Sequence, residues 1–130
     1  MPAQQASASL RSYSSDTMAF NRPMYAPSST GVINLTDEWM GILVNNLNSG
    51  EVMVEMLFCN RAADATFSVA IVPQGETAGE EWLIYDEVPI AGQETLVPPF
   101  KPTLRPGDTL YAMSSAADTV NLFCNYLSEQ

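Results

Sequence analysis

The chain has 130 residues, a hydrophobic content of 46% and a formal net charge of −10 at pH 7. This length fits one domain, and the apolar content argues against a chain that is disordered throughout. The absence of histidine excludes Ser-His-Asp and Cys-His catalysis as well as histidine metal sites, and no apolar run approaches the roughly 20 residues that span a bilayer.

Residues 1–30 differ in composition from the rest of the chain. They hold seven Ser, five Ala and three Pro, and they show no apolar periodicity. Because such a segment cannot bury a core of its own, we expect an extended N-terminal arm that becomes ordered on a partner. Its candidate partner-binding residues are the scattered apolar side chains and two arginines, namely Leu10, Arg11, Tyr13, Phe20, Arg22, Met24 and Tyr25. Polar residues interrupt the segment before an apolar stretch develops, so we expect no secretory signal and synthesis in the cytoplasm.

Residues 31–130 alternate between short apolar runs and turn signals, which predicts a β domain. Residues 39–47 and 51–59 indicate two strands separated by Asn48-Ser49-Gly50, and a hairpin is the most economical interpretation. One face of the second strand is apolar and consists of Val52, Val54, Met56 and Phe58. Its other face is mixed.

The second half of the domain continues the β pattern. Residues 65–72 alternate between apolar and small side chains, as a half-buried antiparallel strand does. Residues 82–88 predict a strand that Pro89 ends, and the prolines at 98, 99 and 102 exclude a central strand there.

A turn at Pro106-Gly107-Asp108 precedes two last strands over 109–114 and 119–127. About seven or eight short strands separated by regular turns are typical of a sandwich or barrel. We therefore predict an all-β fold over residues 31–130, an antiparallel β-sandwich of Ig-like or jelly-roll-like type.

Cys59 and Cys124 occur in the same local sequence, Leu-Phe-Cys-Asn. Free cysteines behave as small buried hydrophobes, and a reducing cytosol disfavours a disulfide. We interpret both as core residues, and the sequence leaves open whether they are neighbours.

The charge is unevenly distributed. Residues 1–30 carry a net +1, whereas residues 31–130 carry fourteen carboxylates against three basic residues, a net −11. A domain of this charge repels phosphate backbones and anionic membranes, so we expect neither as a partner. The acidity either keeps the domain soluble or keeps copies apart until they bind one another through a specific docking surface.

The sequence predicts no catalytic, cofactor or metal site. The acidic pairs are Asp37-Glu38, Glu80-Glu81 and Asp86-Glu87. Neighbouring carboxylates on a strand point to opposite faces, so they do not form a catalytic pair. An exposed Trp82 or Tyr85 on a flat face would instead favour a carbohydrate-binding module.

Five segments resemble small virion proteins of tailed phages: Ile71-Val-Pro-Gln-Gly75, Val88-Pro-Ile90, Glu94-Thr-Leu96, Leu104-Arg-Pro-Gly-Asp-Thr-Leu110 and Ser114-Ser-Ala-Ala-Asp-Thr-Val-Asn121. In those proteins the segments that correspond to the first, fourth and fifth form a strand end, a turn and a final hairpin of a β-sandwich. The resemblance implies a non-enzymatic structural protein, a capsid decoration or cement protein located in the virion. Its expected partners are the major capsid protein or other virion proteins and copies of itself, as a homo-oligomer. A tail, neck or fibre-attachment component is the alternative.

Overall fold

Nine strands and one short 3-10 helix follow one another along residues 25–129, the part of the chain that the computed structural model describes. The strands are β1 (Tyr25–Asn34), β2 (Met40–Val44), β3 (Val52–Asn60), β4 (Ala65–Val72), β5 (Leu83–Ile90), β6 (Thr95–Leu96), β7 (Thr103–Leu104), β8 (Thr109–Ser114) and β9 (Val120–Glu129). The 3-10 helix occupies Glu80–Trp82, directly before β5.

The strands form two antiparallel sheets. Sheet A has the order β1-β9-β3-β6, with β7 also paired to β3, and sheet B has the order β2-β8-β4-β5. Because the chain crosses between the sheets after most strands, the topology is that of a jelly roll. The antiparallel sandwich predicted from the sequence is confirmed, in its jelly-roll form.

Two short strands, β6 and β7, together occupy the edge position next to β3 in sheet A. β6 pairs with β3 at Phe58 and Cys59, and β7 pairs with its other end at Val52 and Met53. The prolines between β6 and β7 lack the N–H that a continuous ladder needs. No strand forms over residues 98–102, as these prolines predict.

The core lies between the sheets and joins them through two aromatic rings. Phe58 of β3 and Phe67 of β4 stack with their ring centroids 3.8 Å apart and an interplanar angle of 14°. β3 alternates between buried and outward-facing residues along its whole length. The apolar face predicted for this strand is therefore its core face.

Two buried asparagines fix the loops at the ends of the sandwich. The Asn45 side-chain amide donates to the carbonyls of Gly50 and Leu104, and its oxygen accepts from the Leu47 N–H. Asn60 binds three backbone groups in the same way. Since each side chain satisfies its polar atoms, neither burial carries the penalty of an unpaired group.

Two predicted hairpins are wrong. β2 pairs with β8 in sheet B, whereas β3 pairs with β9 in sheet A along nine residues, from Val52–Ser128 to Asn60–Val120. β8 and β9 likewise lie in different sheets, so the final hairpin is also an arch between sheets. A polar connection with glycine can form either a hairpin or an arch between sheets. The local sequence pattern does not distinguish the two.

The beginning of β1 and the end of β5 also differ from the sequence analysis. Residues 25–30, assigned there to the arm, belong to β1 and pair with β9. Gly31, taken as the start of the domain, lies at a bulge in β1 with φ of 75°, a conformation that favours glycine. Pro89 lies within β5, which tolerates it because β5 is an edge strand.

Within residues 25–129, no helix has the length and apolar character to cross a membrane.

Candidate interaction surface

The predicted partner-binding residues fall mostly outside the described part of the chain. This applies to Leu10, Arg11, Tyr13, Phe20, Arg22 and Met24, whose roles stay predictions. Tyr25 opens β1 and pairs with Glu129 at the end of β9. Tyr25, where the described part of the chain begins, therefore lies at the outer edge of sheet A.

The outward side of sheet A exposes several large apolar side chains. Val32 is 70% exposed, Met53 37%, Leu57 36% and Leu127 38%. Protein surfaces contain many isolated apolar residues, but these four share one side of one sheet. We call this surface the open face and define it by Val32, Met53, Glu55, Leu57, Phe123 and Leu127.

The strand register places the residues of the open face in rows. Leu57 of β3 lies opposite Phe123 of β9, which lies opposite Val32 of β1. Two rows further along, Met53 lies opposite Leu127. Directly opposite residues on one face of a sheet contact each other, so the apolar side chains form two continuous rows across three strands.

A polar row separates the two apolar rows. Glu55 lies opposite Asn125, and its carboxylate is 3.5 Å from the Lys101 ammonium. A groove of about 550 Å³ runs beside this ion pair, and its walls include Pro27, Met53 and Leu127. The open face thus combines apolar rows with one pair of opposite charges.

The open face is nearly neutral in an acidic domain. Among outward-facing residues of β1, β3 and β9 between positions 27 and 128, Glu55 is the single carboxylate, and Lys101 balances it. The opposite side of the sandwich carries exposed acids on the 3-10 helix and on β5, namely Glu80, Glu81, Asp86 and Glu87. Another molecule of the same charge therefore meets less repulsion at the open face than at the side with the 3-10 helix and β5.

The two cysteines are not neighbours and do not share an environment. Cys124 is fully buried and faces the core, as the sequence predicted. Cys59 lies on the outward side of β3, half-buried, opposite Asn121. Burial raises the pKa of the Cys124 thiol to about 12, and a hydrogen bond with Thr30 works in the opposite direction.

Neither a metal-binding cluster nor an exposed aromatic platform is present in the described residues. Across residues 25–129, no group of three or more Cys, Asp or Glu side chains is placed to hold a metal ion. Trp82 is half-buried, with its indole N–H enclosed and without a hydrogen-bond partner. Tyr85 packs on the core and meets Phe67 edge-on. Neither ring forms the exposed flat platform that a sugar-binding face needs.

The open face is not recognised as a site in the sequence. Its signal is the mixed outward face of β3, together with Phe123 and Leu127 on the outward side of β9. Apolar residues on both sides of a strand are typical of strands covered on both sides. Among the described residues, nothing covers the outward side of these two strands.

Known proteins resemble this chain in fold only. No family model matches it, and no curated protein sequence matches it. One similar solved structure comes from Bacillus endospore appendages, described as a novel family of disulfide-linked pili. The two structures superpose with a TM-score of 0.57 and 13% sequence identity, over 91% of this chain and 98% of that one. At this identity the likeness shows the fold alone.

Proposed function

We propose that this chain is a non-enzymatic structural protein that assembles with copies of itself. The observation that carries the proposal is the open face, where Val32 is 70% exposed among other apolar side chains of a three-stranded surface. Exposed apolar surface of this kind is typical of protein interaction sites.

The similar solved structure supports this proposal. That structure belongs to Bacillus endospore appendages, which are described as disulfide-linked pili. A similar sandwich therefore occurs in a protein of a surface appendage. Fold alone does not determine function, so the open face carries the proposal and the likeness supports it.

The assembly we propose is the virion of a tailed phage, with this protein as a capsid decoration or cement protein. The support is the sequence resemblance of residues 71–75, 104–110 and 114–121. In this proposal the arm contacts the major capsid protein through Leu10, Tyr13 and Phe20, and Arg11 and Arg22 meet acidic groups of the shell. The sandwich domains contact one another at the surface of the shell.

The first experiment measures self-association of the purified full-length protein. Sedimentation velocity over a hundredfold concentration range should show discrete oligomers that grow in population with concentration. Electron microscopy of the concentrated sample then distinguishes closed oligomers from filaments. A protein that stays monomeric over the whole range contradicts the proposed function.

The second experiment locates the protein within particles. Purified virions are separated by sedimentation, and the protein is quantified by mass spectrometry against the major capsid protein. Hundreds of copies per particle support decoration of the shell, whereas about six or twelve copies support a tail or neck component, which has low cyclic symmetry. Absence from the particles contradicts the virion location and leaves self-assembly to be judged by the first experiment.

The third experiment tests the arm in the full-length chain. The variants Tyr13→Ala and Phe20→Ala remove two apolar anchors without touching the described sandwich. If the arm docks on the shell, both variants keep their self-association and bind particles at least tenfold more weakly. The matched control is Ser14→Ala, which should bind as the wild type does. Equal binding by all of them contradicts the role of the arm.

A further inference from the structure

We infer that the open face binds the open face of a second copy around a two-fold axis. The inference depends on the self-assembly proposed above and specifies its contact surface. It is carried by the charge distribution around Glu55 and Lys101 and by the rows of apolar side chains on β1, β3 and β9.

Charge repulsion limits where two acidic domains can make contact. Each copy carries a net −11 over residues 31–130, so two copies repel each other on average. The side with the 3-10 helix and β5 adds like charges at short range. The open face brings together only neutral side chains and the balanced pair of Glu55 and Lys101. This surface therefore gives a lower electrostatic penalty for contact between copies than the side with the 3-10 helix and β5.

The ion pair also makes the surface complementary to itself. In a two-fold interface the same patch contacts itself, so each charge must find its opposite within the patch. Glu55 and Lys101 are both solvent-accessible, with side-chain exposures of 47% and 60%. Rotation by 180° places the carboxylate of one copy near the ammonium of the other. An open face with charges of one sign would prevent such a contact.

The apolar rows provide the area that the contact buries. Val32 and Leu57 lie in one row, and Met53 and Leu127 lie in the other. Two sheets that pack face to face interdigitate their side chains about 10 Å apart. Asn125 lies between the rows and Asn121 lies beyond the row of Leu57. Their amides can form hydrogen bonds within such an interface and at its rim.

A matched pair of substitutions tests the surface. Val32 on β1 is 70% exposed and Val44 on β2, in the other sheet, is 50% exposed. We expect Val32→Glu to weaken dimerisation of the full-length protein at least tenfold in sedimentation velocity, because it places two like charges across the two-fold axis. Val44→Glu adds the same charge outside the open face and should change the dissociation constant less than twofold. Equal effects of the two variants overturn the inference.

Charge exchange tests the symmetry. Glu55→Lys gives the open face two positive charges, and Lys101→Glu gives it two negative charges. Each variant alone should dimerise at least tenfold more weakly than the wild type, whereas an equimolar mixture should form heterodimers at the wild-type level. A mixture that associates no better than the separate variants overturns the inference.

The same measurements separate this inference from the proposed function. If the wild type associates and all open-face variants associate equally well, the inference fails and self-assembly stands. If Tyr13→Ala and Phe20→Ala abolish association that the open-face variants retain, the arm is the occupant and the inference fails. If the wild type stays monomeric at every concentration, both fail. Circular dichroism of each variant confirms that its sandwich is folded.

Discussion

The outward sides of the two sheets differ in how much of their surface is exposed. In sheet B, the central strand β4 has its outward residues covered, with Ala70 0% and Val72 2% exposed. The 3-10 helix lies against this strand, and the Ser68 hydroxyl accepts a hydrogen bond from the Glu87 N–H. In sheet A, the central strand β3 leaves Met53 37% and Leu57 36% exposed. A neighbouring part of the chain covers sheet B, whereas none of the described residues covers the outward side of sheet A.

The difference shows how one fold can cover the outward side of one sheet and leave the outward side of the other accessible. Each sheet has a central strand with apolar residues on both faces, namely β3 in sheet A and β4 in sheet B. The connection between β4 and β5 is long enough to return over sheet B, whereas the strands of sheet A are joined by arches at the ends of the sandwich. The surface of sheet A therefore stays accessible to a partner among the described residues.

The largest effect should come from placing the same charge on the two outward sides. Ala70→Glu buries a carboxylate without a partner, so we expect a loss of about 4 kcal/mol or more in the free energy of unfolding. Leu57→Glu adds the same group to the open face, where water solvates it, and should change stability by about 0.5 kcal/mol. Urea unfolding followed by fluorescence measures both.

Similar losses for Ala70→Glu and Leu57→Glu would break the comparison between the sheets. Such a result would mean that the outward side of sheet A is covered in the isolated molecule, contrary to the exposure of Leu57. The measurement is made at a concentration at which the wild type is monomeric, because association would otherwise add to the stability of the native state.

The core that the two sheets share should give the next effect. Phe58→Ala removes one ring of the stacked pair with Phe67 and leaves a cavity between the sheets, so we expect a loss of about 3–5 kcal/mol. Phe100→Ala is the matched control, because Phe100 is 59% exposed and its truncation should matter little. If both variants lost equal stability, the contact between the sheets would not lie at this pair.

These elements also show what could be predicted from the sequence. β4 and β8 were predicted at their observed residues, because alternation of period two is a local property. The apolar face of β3 was predicted for the same reason. Pairing was not predicted, since β3 finds its partner β9 far along the chain, and an arch and a hairpin use similar connecting residues.

The candidate site was only partly visible in the sequence. The mixed face of β3 was noted, but exposure of Leu57 depends on what the rest of the chain places over it. Val32 gave no signal of its own, because the bulge at Gly31 sets which side of β1 it faces. Such a bulge shifts the alternation by one residue, and periodicity does not reveal it.

A smaller effect should appear in the pH dependence of stability. The pKa of Cys124 is raised by burial from 9.0 to about 12, so its thiol keeps its proton in the folded state at a pH at which the unfolded chain loses it. This contribution is fully present below pH 9, and stability should fall as pH rises from 9 towards 12, by about 1.4 kcal/mol per pH unit from this group.

One variant isolates the contribution of the inward-facing thiol. Urea unfolding between pH 8.5 and 10.5 should show a shallower loss of stability in Cys124→Ala than in the wild type. The rest of the sequence is common to the two proteins, so its contribution to the pH dependence cancels in the comparison. Identical slopes in Cys124→Ala and the wild type would show that this thiol is not the group that titrates.

The smallest effect, and the most direct view of the open side of sheet A, concerns the reactivity of Cys59. This thiol is half-buried on the outward side of β3, and Cys124 is fully buried. In the dilute native protein at pH 8, we expect a maleimide to label Cys59 within minutes and Cys124 only after denaturation. At concentrations at which the protein associates, labelling of Cys59 should slow several-fold, because a second copy covers β3. Association that leaves the labelling rate unchanged would mean that the copies meet elsewhere, and the sheet that lacks a cover in one molecule would also lack it in the assembly.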